Sequence, residues 1–533
     1  MKMKAKYILS LFGGMALTLS SCLGDLDVKP LDETIVTGDI AYSDAASYTK
    51  GLMKIYSVWA ISGQDGEGSS DIENLDPGNA QLLRSWWNLQ EVSTDECKVA
   101  WANDSWVPEI NNMTWSNAKN ESIEGVYQRC MFIVALANEY LKQVGNAPAD
   151  AKPDQLRAEA RFCRALAYYT LLDQYARPPF ITESNFSVVP SPMSREELFN
   201  WIVTELTEIE SALPAARQGT YGRADQGAVN ALLARIYLNA EVYTGKAMYT
   251  ECLTACNKVI AGGYSLTTDY SNIFKADNNV TAKNEIIFPI CFDGAATKTW
   301  GGMTFLICAS RGGSEYVLAT DGVSAGWDGT RSTQNLVNKF AFADNNNKTS
   351  ANILDKRGIF YSEGRSVEIK TTPLSTFTSE GWAVYKFKNV KSDGSLASDT
   401  QFPDTDFPMF RLADVYLMYA EAVLRGGTGG DKNTALGYVN DLRKRGYGDN
   451  SGAISSSQLT TDFILDERSR ELYWEGTRRT DLVRYGLYTS GTYRWPYKGG
   501  VLEGVAVDAT RNIFPIPVTD LSVNGNLTQN PGY

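Results

Sequence analysis

The sequence predicts a mostly α-helical protein: helical hairpins form a scaffold, and irregular loops with a few short strands lie upon it. Three observations carry this expectation. Apolar residues recur at helical spacing in seven long segments. These segments end at Gly or Pro signals, as at Pro178-Pro179 and Gly262-Gly263. Between them lie Gly-, Asn- and Asp-rich stretches with only brief β-type runs. The 533 residues are 43% apolar, enough to bury a sizeable core.

In chain order, the first long helix is expected over 155–176, with Leu156, Phe162, Ala165, Leu166, Tyr169 and Leu172 on one broad face. A second is expected over 194–213, where Ser194 and Glu197 make a capping box. Segments 225–242 and 247–261 read as a further pair. Segments 407–425, 432–446 and 461–476 complete the set, the last capped by Asp462 or Thr461. Strand candidates are Glu285 to Ile290 and Ala383 to Lys388, within a long mixed stretch over 265–406. Residues 62–84 read as irregular. An alanine precedes a tyrosine by three positions at Ala165/Tyr168, Ala234/Tyr237 and Ala413/Tyr416, and the first two pairs are 69 residues apart. That is close to twice the tetratricopeptide period, in which a small residue lets two helices approach. The tetratricopeptide Trp is missing, and any helical hairpin bundle with alanine at close crossings matches the pattern equally well. The expected fold is a tetratricopeptide-like α-superhelix.

Composition excludes several kinds of chemistry. The chain has no histidine, which removes Ser-His-Asp triads, Cys-His dyads and His-ligated metals. Its formal charge is −12 and it has no basic block, so nucleic acid is not an expected partner. The Gly-rich run from Arg425 to Gly430 lacks the lysine of a phosphate-binding loop. No pair of carboxylates is singled out for glycoside cleavage. No catalytic residue, cofactor or metal is expected.

Residues 1–21 read as a leader: Lys2, Lys4 and Lys6, then an apolar stretch from Tyr7 to Leu19 that is too short to span a bilayer. The ending Leu19-Ser20-Ser21-Cys22 looks like a bacterial lipobox, in which Cys22 becomes the lipid-bearing N-terminus. An ordinary secretory leader ending near a cysteine is the alternative. Loss of residues 1–21 takes the charge to −15. Leu23 follows the cysteine where some bacteria place a retention aspartate, which favours the outer membrane. The other seven cysteines form no CxxC pair and no disulfide framework, and most read as small buried residues.

Several stretches resemble the SusD/RagB family of outer-membrane glycan-binding lipoproteins. They are Arg157 to Phe162 (RAEARF), Gly222 to Asp225 (GRAD), Pro403 to Tyr416 with Ala420 to Ala422, and Glu467-Arg468 with Glu471. Glu475-Gly476 with Arg478, Asp481 and Arg484 follows, then Phe514 to Pro517 and Gln529 to Gly532. The resemblance implies a lipid-anchored surface protein without catalytic activity, working with a TonB-dependent transporter of the SusC type. It divides the chain into 22–230, 231–274 with joining tetratricopeptide-like helices, and 275–533.

Thr94 to Cys97 followed by Trp101, and Gly301 to Arg311 followed by Gly326-Trp327, are similar to the family's starch-binding founder. This implies an α-glucan site with Trp101, Trp300 and Trp327 as the aromatic platform and Arg84 and Asp104 contacting hydroxyls. The chain departs from that pattern at three points: Val99 stands for a tryptophan, Trp300 for a tyrosine and Asp104 for an asparagine. An ionised Asp accepts but cannot donate, so the hydrogen-bond pattern at Asp104 differs. Independently of the resemblance, flat indole faces suit the C–H patches of sugar rings. Five of the twelve tryptophans fall within 86–115, while Trp300 and Trp327 lie where no helical period demands a core residue. Trp59, Trp201 and Trp474 read as core, as do Trp86, Trp87, Trp106 and Trp115 as core or loop staples. The charged cluster from Glu467 to Arg479 reads as structural ion pairing.

Overall fold

The computed structural model describes residues 41–533, except 118, 186–187, 313–314 and 372–378. The leader and Cys22 lie outside the described residues. Among the described residues no helix is long and apolar enough to cross a membrane.

In chain order the main elements are α1 (Ala45–Ser57), α2 (Leu82–Trp87), β1 (Cys97–Val99), α3 (Trp106–Asn112), α4 (Glu121–Gln143), α5 (Pro153–Tyr175), α6 (Arg195–Ile209), α7 (Gln226–Leu238) and α8 (Tyr249–Ala261). Then follow β2 (Ile286–Ile290), α9 (Gly302–Cys308), β3 (Thr330–Ser332), β4 (Phe360–Tyr361), β5 (Ala383–Val384), β6 (Phe407–Arg411), α10 (Leu412–Leu424), α11 (Lys432–Tyr447), α12 (Thr461–Leu472) and α13 (Arg478–Arg484). The helices form a packed succession. Helix α4 lies on α5, α5 on α6, α6 on α7, α7 on α8, α8 on α10, and α10 on both α11 and α12. The strands form three separate antiparallel pairs, β1–β3, β2–β6 and β4–β5.

Local chemistry sets the helix ends. The Ser194–Glu197 capping box is present at α6. Asp225 and Asp431 accept backbone N–H groups at the starts of α7 and α11. Pro153 opens α5, where a missing N–H costs nothing. Gly448, at φ 82°, closes α11 in the left-handed region. The cap of α12 is Thr460 rather than Asp462 or Thr461.

The alanine–tyrosine echo marks helix contacts. Ala165, Ala234 and Ala413 are fully buried. Each tyrosine meets an aromatic ring on a neighbouring helix: Tyr168 meets Trp201 at 5.3 Å, Tyr237 meets Phe199 at 6.5 Å and Tyr416 stacks on Tyr438 at 4.1 Å. The architecture is a tetratricopeptide-like, mostly helical scaffold with few short strands.

One expected helix begins late. Residues 407–411 are strand β6, paired with Ile286–Ile290, and α10 starts only at Leu412. Pro408 removes a helical N–H and Arg411 takes an extended φ of −145°. The segment is buried along its whole length, so its apolar run carries no helical face.

The charged cluster near the C-terminus is a buried lattice. Arg357 pairs with Asp355, Glu467 and Glu471 at 2.6, 2.8 and 3.0 Å. Arg411 reaches Glu285, Glu471 and Glu475 at 3.0, 2.6 and 2.6 Å. Arg445 joins Glu285 to Glu471. These charges lie among β6, α11, α12 and the segment after β3, so the lattice bolts the C-terminal hairpins together. The seven cysteines described are free, and all except Cys291 are buried.

Candidate functional site

The site grows from the pairing of β1 with β3. Val99 lies opposite Thr330, and the Ala100 N–H donates to the Gly329 carbonyl at 2.8 Å, carrying the ladder one step further. Trp101 and Trp327 therefore emerge side by side from segments far apart in sequence. The Trp101 indole Nε1 donates to the Trp327 carbonyl at 3.0 Å. Gly329 is required beneath it: a Cβ there would stand 2.3 Å from Trp101 Cζ2.

Helix α9 holds the other side of this loop. The Trp327 N–H donates to the Cys308 carbonyl at 2.9 Å, and Gly329 and Thr330 donate to that of Ala309 at 2.9 and 2.8 Å. Trp300 lies just before α9. Its ring is 6.3 Å from that of Trp327, at 51°, and 5.3 Å from Phe402. The fully buried amide of Gln81 fixes α9 against α2. Its Oε1 accepts from Gly302 N–H at 2.8 Å and Arg84 N–H at 2.9 Å, while its Nε2 donates to the Trp59 carbonyl at 2.7 Å.

Arg84, expected in an irregular stretch, sits in α2 and is 6% exposed. Its guanidinium carbon lies 4.3 Å from the Phe305 ring centroid and 6.0 Å from that of Trp101. Among the described residues its side chain has no hydrogen-bond partner, and Nε is buried without one. Burial pulls the guanidinium down to about 10, against the attraction of Asp104, Asp76 and Glu121, so it stays charged at neutral pH. Asp104 occupies a turn: its N–H donates to the Trp101 carbonyl at 3.1 Å and its carbonyl accepts from Val107 at 3.0 Å. Its carboxylate accepts no hydrogen bond from the described residues and faces Arg84 electrostatically.

The structure thus gathers the five expected residues. Trp101, Trp300 and Trp327 are all half-buried, unlike Trp86, Trp87, Trp106 and Trp115, which are buried. Trp59 and Trp474 are buried as expected, whereas Trp201 is half-buried between α5 and α6. The sequence reading missed Phe305 and Gln81. Phe305 backs both Arg84 and Trp101, the latter at 6.1 Å. The pair Gly301-Gly302 was the available signal for Gln81, since a Cβ on Gly301 would stand 2.3 Å from the Gln81 side chain. Among the described residues no three His, Cys, Asp or Glu side chains gather as a metal site. The arrangement offers ring faces, one charged donor and one free carboxylate. It holds no nucleophile poised beside a base.

A helical-repeat scaffold with an aromatic site on its loops defines the class. Residues 284–533 match the model of the SusD family, and residues 75–238 match a model described as starch-binding associating with outer membrane. The chain is 36% identical to the starch-binding protein SusD of Bacteroides thetaiotaomicron, with all of both chains covered. It is 24% identical to a SusD-like protein of Bacteroides ovatus over 78% of this chain and 76% of that one. The chain belongs to the SusD family.

Solved structures share the fold. Surface glycan-binding protein A of Bacteroides thetaiotaomicron superposes with a TM-score of 0.70 at 18% identity, covering 92% of this chain and 100% of that one. The same protein in complex with laminarihexaose gives 0.68 at 19% identity, covering 91% and 99%. A SusD superfamily protein of Parabacteroides distasonis gives 0.69 at 23% identity, covering 92% and 98%.

Proposed function

We propose that this protein is a non-catalytic, cell-surface glycan-binding lipoprotein that captures starch or maltooligosaccharides. In this reading Cys22 carries the lipid that tethers it to the outer membrane. It hands the bound α-glucan to a TonB-dependent transporter of the SusC type. The observation that carries the reading is the convergence of Trp101, Trp300 and Trp327 beside an Arg84 guanidinium with no acceptor among the described residues. Half-buried indoles offer faces to sugar C–H groups, and Arg84 and Asp104 offer a donor and an acceptor for hydroxyls. Tethering raises the local concentration of cargo near the transporter.

Affinity electrophoresis in amylopectin tests the proposal: the wild type should be retarded, and unretarded migration would sink the α-glucan assignment. A second reading, a β-glucan cargo on the same site, is favoured by the laminarihexaose complex of a protein with this fold. Calorimetry with maltoheptaose against laminarihexaose separates the two. No reducing sugar should be released from bound polysaccharide in either case.

A further inference from the structure

A cavity of about 510 Å³ opens beside the segment that follows β5. Four lysines with free or partly free ammonium groups line it: Lys275, Lys356, Lys388 and Lys391. One carboxylate, that of Asp269, lines it too, and that oxygen is engaged by the Ser271 N–H and hydroxyl at 2.9 and 2.8 Å. Among the lining residues lysines outnumber carboxylates, while Asp321, Asp393 and Asp449 face Lys388, Lys391 and Lys356 from outside the lining.

The lysines differ in how far the protein neutralises them. Lys386 also forms part of the wall, but its ammonium group is consumed by the Glu475 carboxylate and the Tyr473 carbonyl, both at 2.6 Å. Only its stem serves the cavity. Lys388 shares Asp321, at 3.6 Å, with Arg311 at 3.3 Å, so one carboxylate faces two cations. Lys275 donates to the neutral Asn272 amide oxygen at 2.9 Å. Among the described residues Lys356 and Lys391 make no side-chain hydrogen bond or close ion pair, and they face only the exposed carboxylates of Asp449 and Asp393 at longer range. Burial lowers the Lys388 ammonium, Asp321 opposes this, and Arg311 and Lys275 add to the lowering, as expected of cations crowded together.

We infer that this cavity binds a tetrahedral oxyanion, a phosphate or sulfate, through Lys275, Lys356, Lys388 and Lys391. Ammonium groups on flexible stems act as point charges and suit an ion whose charge is spread over several oxygens, where a planar carboxylate favours the arginine fork. The volume exceeds that of a bare ion and leaves room for one sugar ring carrying the anion as an ester. The cavity shares none of its lining with the tryptophan site, so this inference stands apart from the proposed α-glucan binding.

The test is calorimetry on the full protein in phosphate-free buffer at low salt, with inorganic phosphate, inorganic sulfate, glucose 6-phosphate and glucose as probes. Saturable binding is expected for the three anions and none for glucose. It should weaken as salt rises from about 20 to about 150 mM. The double variant Lys275→Gln/Lys391→Gln should lose about tenfold or more in affinity. The exposed Lys356→Gln should lose a smaller share, and both should keep their melting temperatures and their amylopectin retention. Lys432→Gln, far along the chain on α11, is the control and should bind as wild type. Tighter binding of glucose 6-phosphate than of phosphate assigns the site to an ester, and equal binding assigns it to the free ion. The inference is overturned if none of the anions binds saturably, if the lysine variants bind as wild type, or if the control loses as much.

Discussion

The Trp101 indole donates to the backbone carbonyl of Trp327 across 226 residues of sequence, at 3.0 Å. One ring of the proposed platform thereby positions the other: the bond fixes the Trp101 ring plane and the loop that carries Trp327. Trp101→Ala removes both ring face and bond and should abolish retardation in amylopectin gels. Trp101→Phe keeps a smaller aromatic face and loses the bond. Its affinity should fall by about tenfold, the scale of one lost hydrogen bond of roughly 1–1.5 kcal/mol. Wild-type affinity in Trp101→Ala would remove these rings from the site.

Gly329 makes a separate prediction. A methyl group there would strike the Trp101 ring at 2.3 Å, with no slack in the adjoining ladder bond from Ala100. Gly329→Ala should displace the indole and weaken glucan binding severalfold. Overpacking should lower stability by about 1–3 kcal/mol, measured by denaturant titration.

The buried lattice predicts a stability effect without a binding effect. Arg357→Met strands the buried Asp355 and takes one of several arginine partners from Glu467 and from Glu471. Removing one partner of a buried ion pair costs about 3–5 kcal/mol. A clear fall in melting temperature should accompany unchanged glucan affinity in the folded fraction.

The pH dependence has two limbs. Beyond burial, which opposes it, the neighbouring arginines hold the Glu421 and Glu467 carboxyls at about 2, below the ordinary value. Their contribution is present above the unfolded value near ~4.3 and is lost as pH falls through about 2. Glu96 behaves oppositely: burial pushes it up to about 7, despite Arg478. Its contribution is complete below ~4.3 and lost as pH rises through about 7. Melting temperature should therefore peak in mildly acid solution and decline on both sides. Glu96→Gln should flatten the upper limb, and an unchanged upper limb would exclude Glu96 as its source.

The helical scaffold was legible because its periodicity is local. Leu156, Phe162 and Leu172 share a face through the 3.6-residue repeat alone, and Ser194 announces α6 by its own side chain. Residues 407–411 were misread because a strand buried on both sides shows the same unbroken apolar run as a buried helix. The tryptophans of the candidate site stand out through their loop setting and the family likeness. Gln81 was not, since its bond to Gly302 spans 221 residues and no local pattern encodes it. Phe305 is silent in the sequence for a similar reason: it looks like any core residue of α9, and only the fold lays Arg84 over its face.

The amide of Gln81 sutures a stretch near residue 80 to another beyond residue 300. Neither the early nor the late portion of the polypeptide therefore owns a recognition face by itself. Such a surface comes into being only when these two stretches have met, once more than half of the chain has been made. A half-made chain would lack the face proposed to hold glucan, and binding would then report that folding is finished.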